Sequence, residues 1–256
     1  TRSRSSARSA TASGWTSTQT LGLGALSLLL LVLFVVREAT AKAPLIPLGI
    51  FKSRNIVGAN LIQILTMAGL FAIGFMAALY LQLVLEYTPI QVGLAFLPAT
   101  LLMGVLSLKY TALLIGRFGP RPVLIVGLLL VAVSLGLFAR VPVSGDYLVD
   151  VVPALIVQGL GCGIAFPALM MLAMSGATPE DAGLASGLNN TFEQIGGAFG
   201  TALLATVATA HTSDLLSKGT APLPALNAGF STAFTIGIVF PVLGLVASAF
   251  LVRRRR

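Results

Sequence analysis

The chain has 256 residues, 56% of them hydrophobic and 9% charged, with a mean hydropathy of +0.96. Soluble globular domains carry about 25% charged residues, so the composition excludes a water-soluble fold and predicts a polytopic, all-α membrane protein whose main partner is the lipid bilayer. The net charge of +8 does not point to nucleic acid, because the basic residues gather at the ends of apolar segments and no basic motif carries interleaved aromatics.

The first 14 residues are rich in Ser, Arg and Ala and read as a low-complexity, disordered tail. No signal-peptide pattern precedes the first span. A start at Thr1 rather than Met predicts a piece of a longer protein. Seven apolar segments follow, at 20–36, 57–85, 92–115, 122–138, 148–174, 182–210 and 228–252. Spanning a ~30 Å hydrocarbon core takes about 20 residues, so the first is short and the second is long enough to tilt. Trp15 and Tyr147 precede the first and fifth spans, as suits the interface. Pro44 and Pro47 mark the connection at 37–56 as an interfacial segment. The expected organisation is therefore a tail (1–14), a linker transmembrane helix with its cytoplasmic connection (15–56), and a six-helix domain (57–256).

Lys and Arg in the connections orient these spans. One side holds Arg37, Lys42, Lys52, Arg54, Arg117, Arg121 and the run Arg253–Arg256, ten in all. The other holds Arg140 and Lys218, with Arg2, Arg4 and Arg8 in the tail. The richer side is predicted to be cytoplasmic, together with the C-terminus. The connections around Glu86–Pro89, Asp146–Asp150 and 211–224 are then external. Lys109 lies about two turns inside the third span. It either snorkels to the inner surface or lines a cavity.

Polar groups within the spans are the candidate site residues. The sixth span carries Asn189, Asn190, Glu193 and Gln194. Glu193 sits roughly 15 Å from its start at ~1.5 Å per residue. A carboxylate there costs a few kcal/mol unless it meets a wet cavity or a partner. Asn189 and Glu193 are four apart and share a face, as do Asn190 and Gln194. These four read as a substrate or proton pathway, against the plainer reading of hydrogen bonds to neighbouring helices. Gln63 and Gln82 in the second span join the candidates, with Lys109. Tyr80 reads more simply as an interhelix hydrogen bond. Gly196 with Gly200, and Gly159 with Gly163 ahead of Pro167, read as close-packing notches. Gly116, Arg117, Gly119 and Arg121 form a tight basic turn in which Gly permits positive φ and Pro122 begins the next helix. That turn is either a plain positive-inside loop or a gate whose arginines contact carboxylates or helix C-termini in one conformation.

Enzyme readings find little support. His211 is the sole histidine and falls in an expected external connection. No His/Cys/Asp cluster has metal-ligand spacing, so no cofactor is expected. Leu184–Gly187 only approximates the motif of intramembrane serine proteases. The single Cys162 admits no internal disulfide.

Several stretches taken in succession resemble the major facilitator superfamily, in its fourteen-helix drug:proton antiporter branch. They are Gly14-Trp15-Thr16-Ser17; Tyr80-Leu81-Gln82; Thr88-Pro89 with Gly93-Leu94-Ala95-Phe96-Leu97-Pro98; Arg117-Phe118-Gly119-Pro120-Arg121; Gly159 to Gly163 with Pro167; and Ala182 to Gly187 through Gly196-Gly197-Ala198-Phe199-Gly200. The resemblance implies the C-terminal half of a multidrug efflux transporter. The first span would be the second of two extra central helices, and the next six the C-terminal domain. The partners so implied are protons, small hydrophobic or cationic substrates and a missing N-terminal half, in a plasma or inner membrane. Two departures stand out. Glu193 occupies a place where the family often has Arg or a neutral residue, and Glu86 one where it usually has Gly. The rival readings are a seven-helix receptor and a non-transporting membrane fragment. Against the receptor, the spans hold no Asp-Arg-Tyr or Asn-Pro-x-x-Tyr sequence, and the last span has no Lys for a retinal Schiff base.

Overall fold

The computed structural model describes residues 18–40, 54–174 and 182–251. The tail with Trp15, the prolines and lysines of the 37–56 connection and the run Arg253–Arg256 lie outside the described residues. The chain divides into two units, Thr1–Lys52 and Ser53–Arg256. The first contains helix α1, Thr18–Thr40. Its apolar stretch, Leu21–Arg37, is shorter than a full span.

The second unit is a helical bundle. Its elements are α2 (Arg54–Leu83), α3 (Pro89–Phe118), α4 (Pro120–Phe138), α5 (Tyr147–Met174), α6 (Ala182–Ser217), α7 (Pro222–Gly237) and α8 (Val239–Leu251). No strand occurs among the described residues, and the protein is an all-α membrane protein. Five stretches are long and apolar enough to cross a bilayer: Asn60–Leu83, Pro89–Phe118, Pro120–Phe138, Tyr147–Met174 and Pro222–Ala249. α6 is not among them, because its amides, Glu193 and its threonines dilute its apolar character.

The helix starts follow from local chemistry. Thr88 caps α3 in a reciprocal box with Gln91, whose Oε1 accepts from the Thr88 N–H at 2.8 Å. Pro89 fills the first helical position, where a missing N–H costs nothing. Asp146 caps α5 by accepting from the Leu148 and Val149 N–H groups at 2.8 and 3.1 Å. Gly119, at φ 84°, turns the chain sharply between α3 and α4. Here the structure corrects the expected start of α4: Pro120, not Pro122, opens it. Glu86 stands at φ 57°, a backbone region that favours glycine. It closes the end of α2, where the Tyr87 N–H donates to Leu81 O at 2.9 Å.

Two other boundaries depart from the sequence reading. α6 runs past Ala210 to Ser217, so His211 and Asp214 lie on a helix rather than in a loop. Nothing in Thr206–Ser217 breaks a helix, and Asp214 pairs with Lys218 one turn on at 2.6 Å, in the favourable acid-before-base order. Gly219, at φ 87°, ends it. The expected seventh span is interrupted at Ile238, between α7 and α8. Pro241 cannot donate to Gly237 O four residues back, and this releases the helix there.

α5 is the hub of one side of the bundle. It packs most extensively on α4 and also on α3. Gly159 and Gly163 form its face toward α3: a Cβ on Gly159 would lie 2.5 Å from Ala99 O, and one on Gly163 would lie 2.9 Å from Leu106 Cβ. Gly161 turns the other way, toward Val131 of α4. On the other side α2 packs against α6 and α8, and α6 against α7. The core between them holds Met76, Tyr80, Leu135 and Leu155, with Phe138 stacked on Phe234 at 5.2 Å.

Pro167 explains a polar contact between α3 and α5. It lacks the N–H that Gly163 O would otherwise accept. The hydroxyls of Thr111 (2.9 Å) and Ser107 (3.1 Å) donate to that carbonyl instead. Both belong to, or directly follow, a π-helical turn at Leu106–Tyr110. In lipid a freed carbonyl must find a partner within the protein. We expect Thr111→Val, a near-isosteric loss of the fully buried hydroxyl, to destabilise the chain by about 1 kcal/mol. A lowered thermal midpoint in detergent would register it, and an unchanged midpoint would assign the carbonyl to Ser107 alone.

Candidate functional site

α6 meets α2 along a glycine ridge. A Cβ on Gly196 would lie 2.5 Å from Ile64 O, and Gly200 is pressed as closely against the Ala68 backbone. This contact sets the rotation of α6 and therefore decides where its polar residues point. Asn189 faces inward and is 4% exposed. Its Nδ2 donates to Met170 Sδ of α5 at 3.4 Å, while its Oδ1 has no protein partner. Glu193, one turn on, is half-buried at the rim of the same face. Asn190 and Gln194, each about 100° further round the helix, are exposed. The sequence reading grouped these four. The structure keeps Asn189 and Glu193 on adjoining positions and sends the other two outward.

Gln63 of α2 is 2% exposed, and its Oε1 has no protein partner. It does not stand alone. Asn60 and Thr66, three residues to either side, are also buried, with Asn60 Nδ2 and Thr66 Oγ1 equally unpaired. The three follow one another at i, i+3 and i+6 along one flank of α2. Gln158 of α5 adds another buried, unpaired Oε1. Sequence reasoning missed Asn60, Thr66 and Gln158. The three-residue spacing around Gln63 was the signal that could have found the first two. Buried polar side chains are nearly always hydrogen-bonded in folded proteins. A run of unpaired ones in a bilayer-spanning bundle is a place where water or a polar ligand group finds partners.

The remaining candidates lie apart from these. Gln82 is exposed at the far end of α2. Tyr80 is buried and donates its hydroxyl to Pro142 O at 2.9 Å, tying α2 to the α4–α5 connection. Lys109 is exposed in the π-helical turn, its ammonium 5.8 Å from the Tyr110 ring centre. In the basic turn, Gly116 and Arg117 are exposed, with the Arg117 guanidinium 5.4 Å from the Phe118 ring centre. Arg121 differs: its Nε donates to Ser248 O at 2.9 Å and its Nη2 to Ala249 O. It thus holds the carbonyl end of α8, where unpaired C=O groups and the helix dipole favour a cation. Among the described residues no group of His, Cys, Asp or Glu could hold a metal ion.

Comparison with known proteins places this arrangement in a family. The model of the Major Facilitator Superfamily matches residues 8–201. The chain is 35% identical over 242 residues to the puromycin resistance protein of Streptomyces alboniger, covering 93% of the chain and 48% of that protein. It is 32% identical over 203 residues to the tetracenomycin C resistance and export protein of Streptomyces glaucescens, covering 79% and 37%. It is 28% identical over 240 residues to a multidrug transporter protein of Bacillus subtilis, covering 92% and 44%. The chain thus spans about half, or less, of the length of these curated relatives. With a helical membrane bundle and a family model that matches most of its residues, the chain belongs to the Major Facilitator Superfamily.

Proposed function

We propose that this chain is the C-terminal half of a proton-coupled secondary transporter that exports drug-like hydrophobic or cationic compounds. The observation that carries the reading is the set of relatives, named for resistance to and export of small molecules and matched over half or less of their lengths. The unpaired amides and hydroxyl of α2 and α6, inside an otherwise apolar bundle, support it. Export proceeds by alternating access, in which two six-helix halves rock about a site near the bilayer midplane. Glu193 binds and releases the coupling proton at the rim of α6. Asn189 and Gln63 supply hydrogen-bonding groups beside the path. Arg121 steadies one conformation by holding the end of α8, and Arg117 stands at the same surface. The C-terminus is cytoplasmic, by the positive-inside bias. Small-molecule movement in this reading requires no catalytic group and no cofactor.

The test reconstitutes the 256-residue chain alone and together with an N-terminal six-helix half encoded upstream. We expect uncoupler-sensitive efflux of a lipophilic cationic dye only from the pair. Robust proton-driven export by the isolated chain would contradict the half-transporter reading. No export by the pair, with both halves folded, would contradict the transport reading.

A further inference from the structure

The seam between α2 and α6 fixes which residues meet one turn below it. Gly196 rests on the backbone of Ile64 and Gly200 on that of Ala68, so a step of four residues along α6 matches a step of four along α2. The two helices therefore run parallel. Continued back from Gly196, the same register brings Glu193 level with Leu61 and one residue above Asn60, a difference in height of ~1.5 Å.

The seam also has two flanks. On one of them Gly197 lies against the Phe71 ring. Glu193 is about one turn before Gly197, and Asn60 is eleven residues, about three turns, before Phe71. At ~100° per residue each returns to nearly the same side of its helix. Glu193 and Asn60 thus share both a height and a flank. Leu61, turned about 100° from Asn60, is exposed.

The chemistry of the two side chains matches their placement. Asn60 Nδ2 is a buried donor with no protein partner. The Glu193 carboxylate has no ion-pair partner among the described residues. One turn before it on α6, Asn189 holds an unpaired acceptor, Oδ1, its Nδ2 being committed to Met170. An ionised carboxylate only accepts hydrogen bonds, whereas a protonated carboxyl also donates one. The two amides therefore offer a partner to each state. No competing titratable side chain lies on the facing stretches. α2 has none from Asn60 to Leu79, α5 none from Gly163 to Met174 and α7 none at all, while α6 has only Glu193 from Ala182 to Ala210.

We propose that Asn60 is the positioning residue of Glu193: its Nδ2 donates across the α2–α6 seam to the ionised carboxylate, while Asn189 Oδ1 accepts from the protonated carboxyl. On release, the O–H bond of Glu193 breaks, its electron pair stays on the carboxylate oxygen and the proton passes to water at the exposed side of the residue. One hydrogen bond is exchanged for another, so neither state is left without a partner inside the bundle. The donation to the ionised form is the stronger of the two, because it is charge-assisted. The inference rests on Glu193 being the proton carrier proposed above, but its spectroscopic test does not.

That test isolates the infrared carboxylate bands of Glu193 in the purified chain at alkaline pH, as the difference from Glu193→Gln. Asn60→Leu, which keeps the bulk and removes the donor, should move the antisymmetric-stretch band. Asn60→Gln, which keeps the donor, should leave it near its original place. In the chain paired with its N-terminal half, Asn60→Leu should lower pH-driven export roughly tenfold, the worth of one hydrogen bond to a charged group. Asn60→Gln should recover most of that loss, and Asn60→Leu should add nothing to Glu193→Gln. Asn60→Ala, which places no apolar bulk in the seam, replaces Asn60→Leu if the latter fails to fold. An unmoved band without the donor, or an equal shift in Asn60→Gln, would overturn the proposal. So would a further loss of export when Asn60→Leu is added to Glu193→Gln. A moved band with full export by Glu193→Gln would uphold the hydrogen bond and overturn the proton-carrier reading instead.

Discussion

Gly200→Val should be among the most damaging single substitutions in this chain, costing about 3 kcal/mol of stability. A Cβ at Gly200 would fall within close contact of the oxygen, Cα and carbonyl carbon of Ala68. All three belong to the backbone of α2, which cannot rotate aside as a side chain would. The helices must therefore separate, and with them the contacts of Gly196 on Ile64 and Gly197 on Phe71. Association of helices in lipid rests on close van der Waals packing rather than on exclusion of water, so a small gap forfeits much of the interface. Gly187 on the same helix makes a stringent control, because a Cβ there meets nothing within 4 Å. Gly187→Ala should be neutral, or stabilising by about 0.5–1 kcal/mol through its better helix propensity. Thermal midpoints in detergent and the yield of folded protein measure both. Equal midpoints for the two variants would refute the account of the α2–α6 contact.

Under the proposed function, Glu193→Gln, made in the chain paired with its proposed N-terminal half, should lower proton-coupled export roughly tenfold or more, equivalent to ~1.4 kcal/mol, while leaving stability within about 0.5 kcal/mol. The proposed role of Glu193 in carrying the proton motivates the first half of this expectation. The structure motivates the second. Glu193 is half-buried and belongs to no ion pair among the described residues, so removing its charge strands no buried cation, the usual reason such a change unfolds a protein. Gln retains the size and the hydrogen-bonding capacity but cannot titrate. A residue serving only to pack, or to hydrogen-bond a neighbouring helix, would survive the exchange. Expression, thermal midpoint and pH-driven uptake into everted vesicles are to be read on the same protein. Full, normally pH-dependent transport would remove Glu193 from the mechanism. A falling midpoint together with falling transport would reassign it to structure.

The placement of most spans was legible in the amino-acid order, because partition into a bilayer depends on local composition over about 20 residues and on little else. The caps at Thr88-Pro89 and Asp146 are equally local, acting on backbone groups within a few residues, but they were read only from the structure. Helix ends that lack a strong local signal were not legible. The run from His211 to Ser217 is polar enough to look like a loop, yet it contains no breaker before Gly219, and the helix simply continues. The break at Ile238 has a local cause in Pro241, but proline alone does not announce it, since Pro98 and Pro167 sit within helices that carry on.

Which way a side chain faces was settled only in three dimensions. By spacing alone, Asn189 and Asn190 had equal claims on a cavity. The Gly196–Gly200 ridge seats α6 on α2, and that rotation buries one amide against Met170 and exposes the other. The same holds for Gly163. Its sequence context marks it as a packing glycine, while its second task, offering a carbonyl freed by Pro167 to Thr111 and Ser107, depends on a helix more than 50 residues away. Local order determines which segments enter the membrane, because lipid acts on each segment separately. Contacts between segments decide which polar groups end up inside, because burial of a helix face is a property of its neighbours.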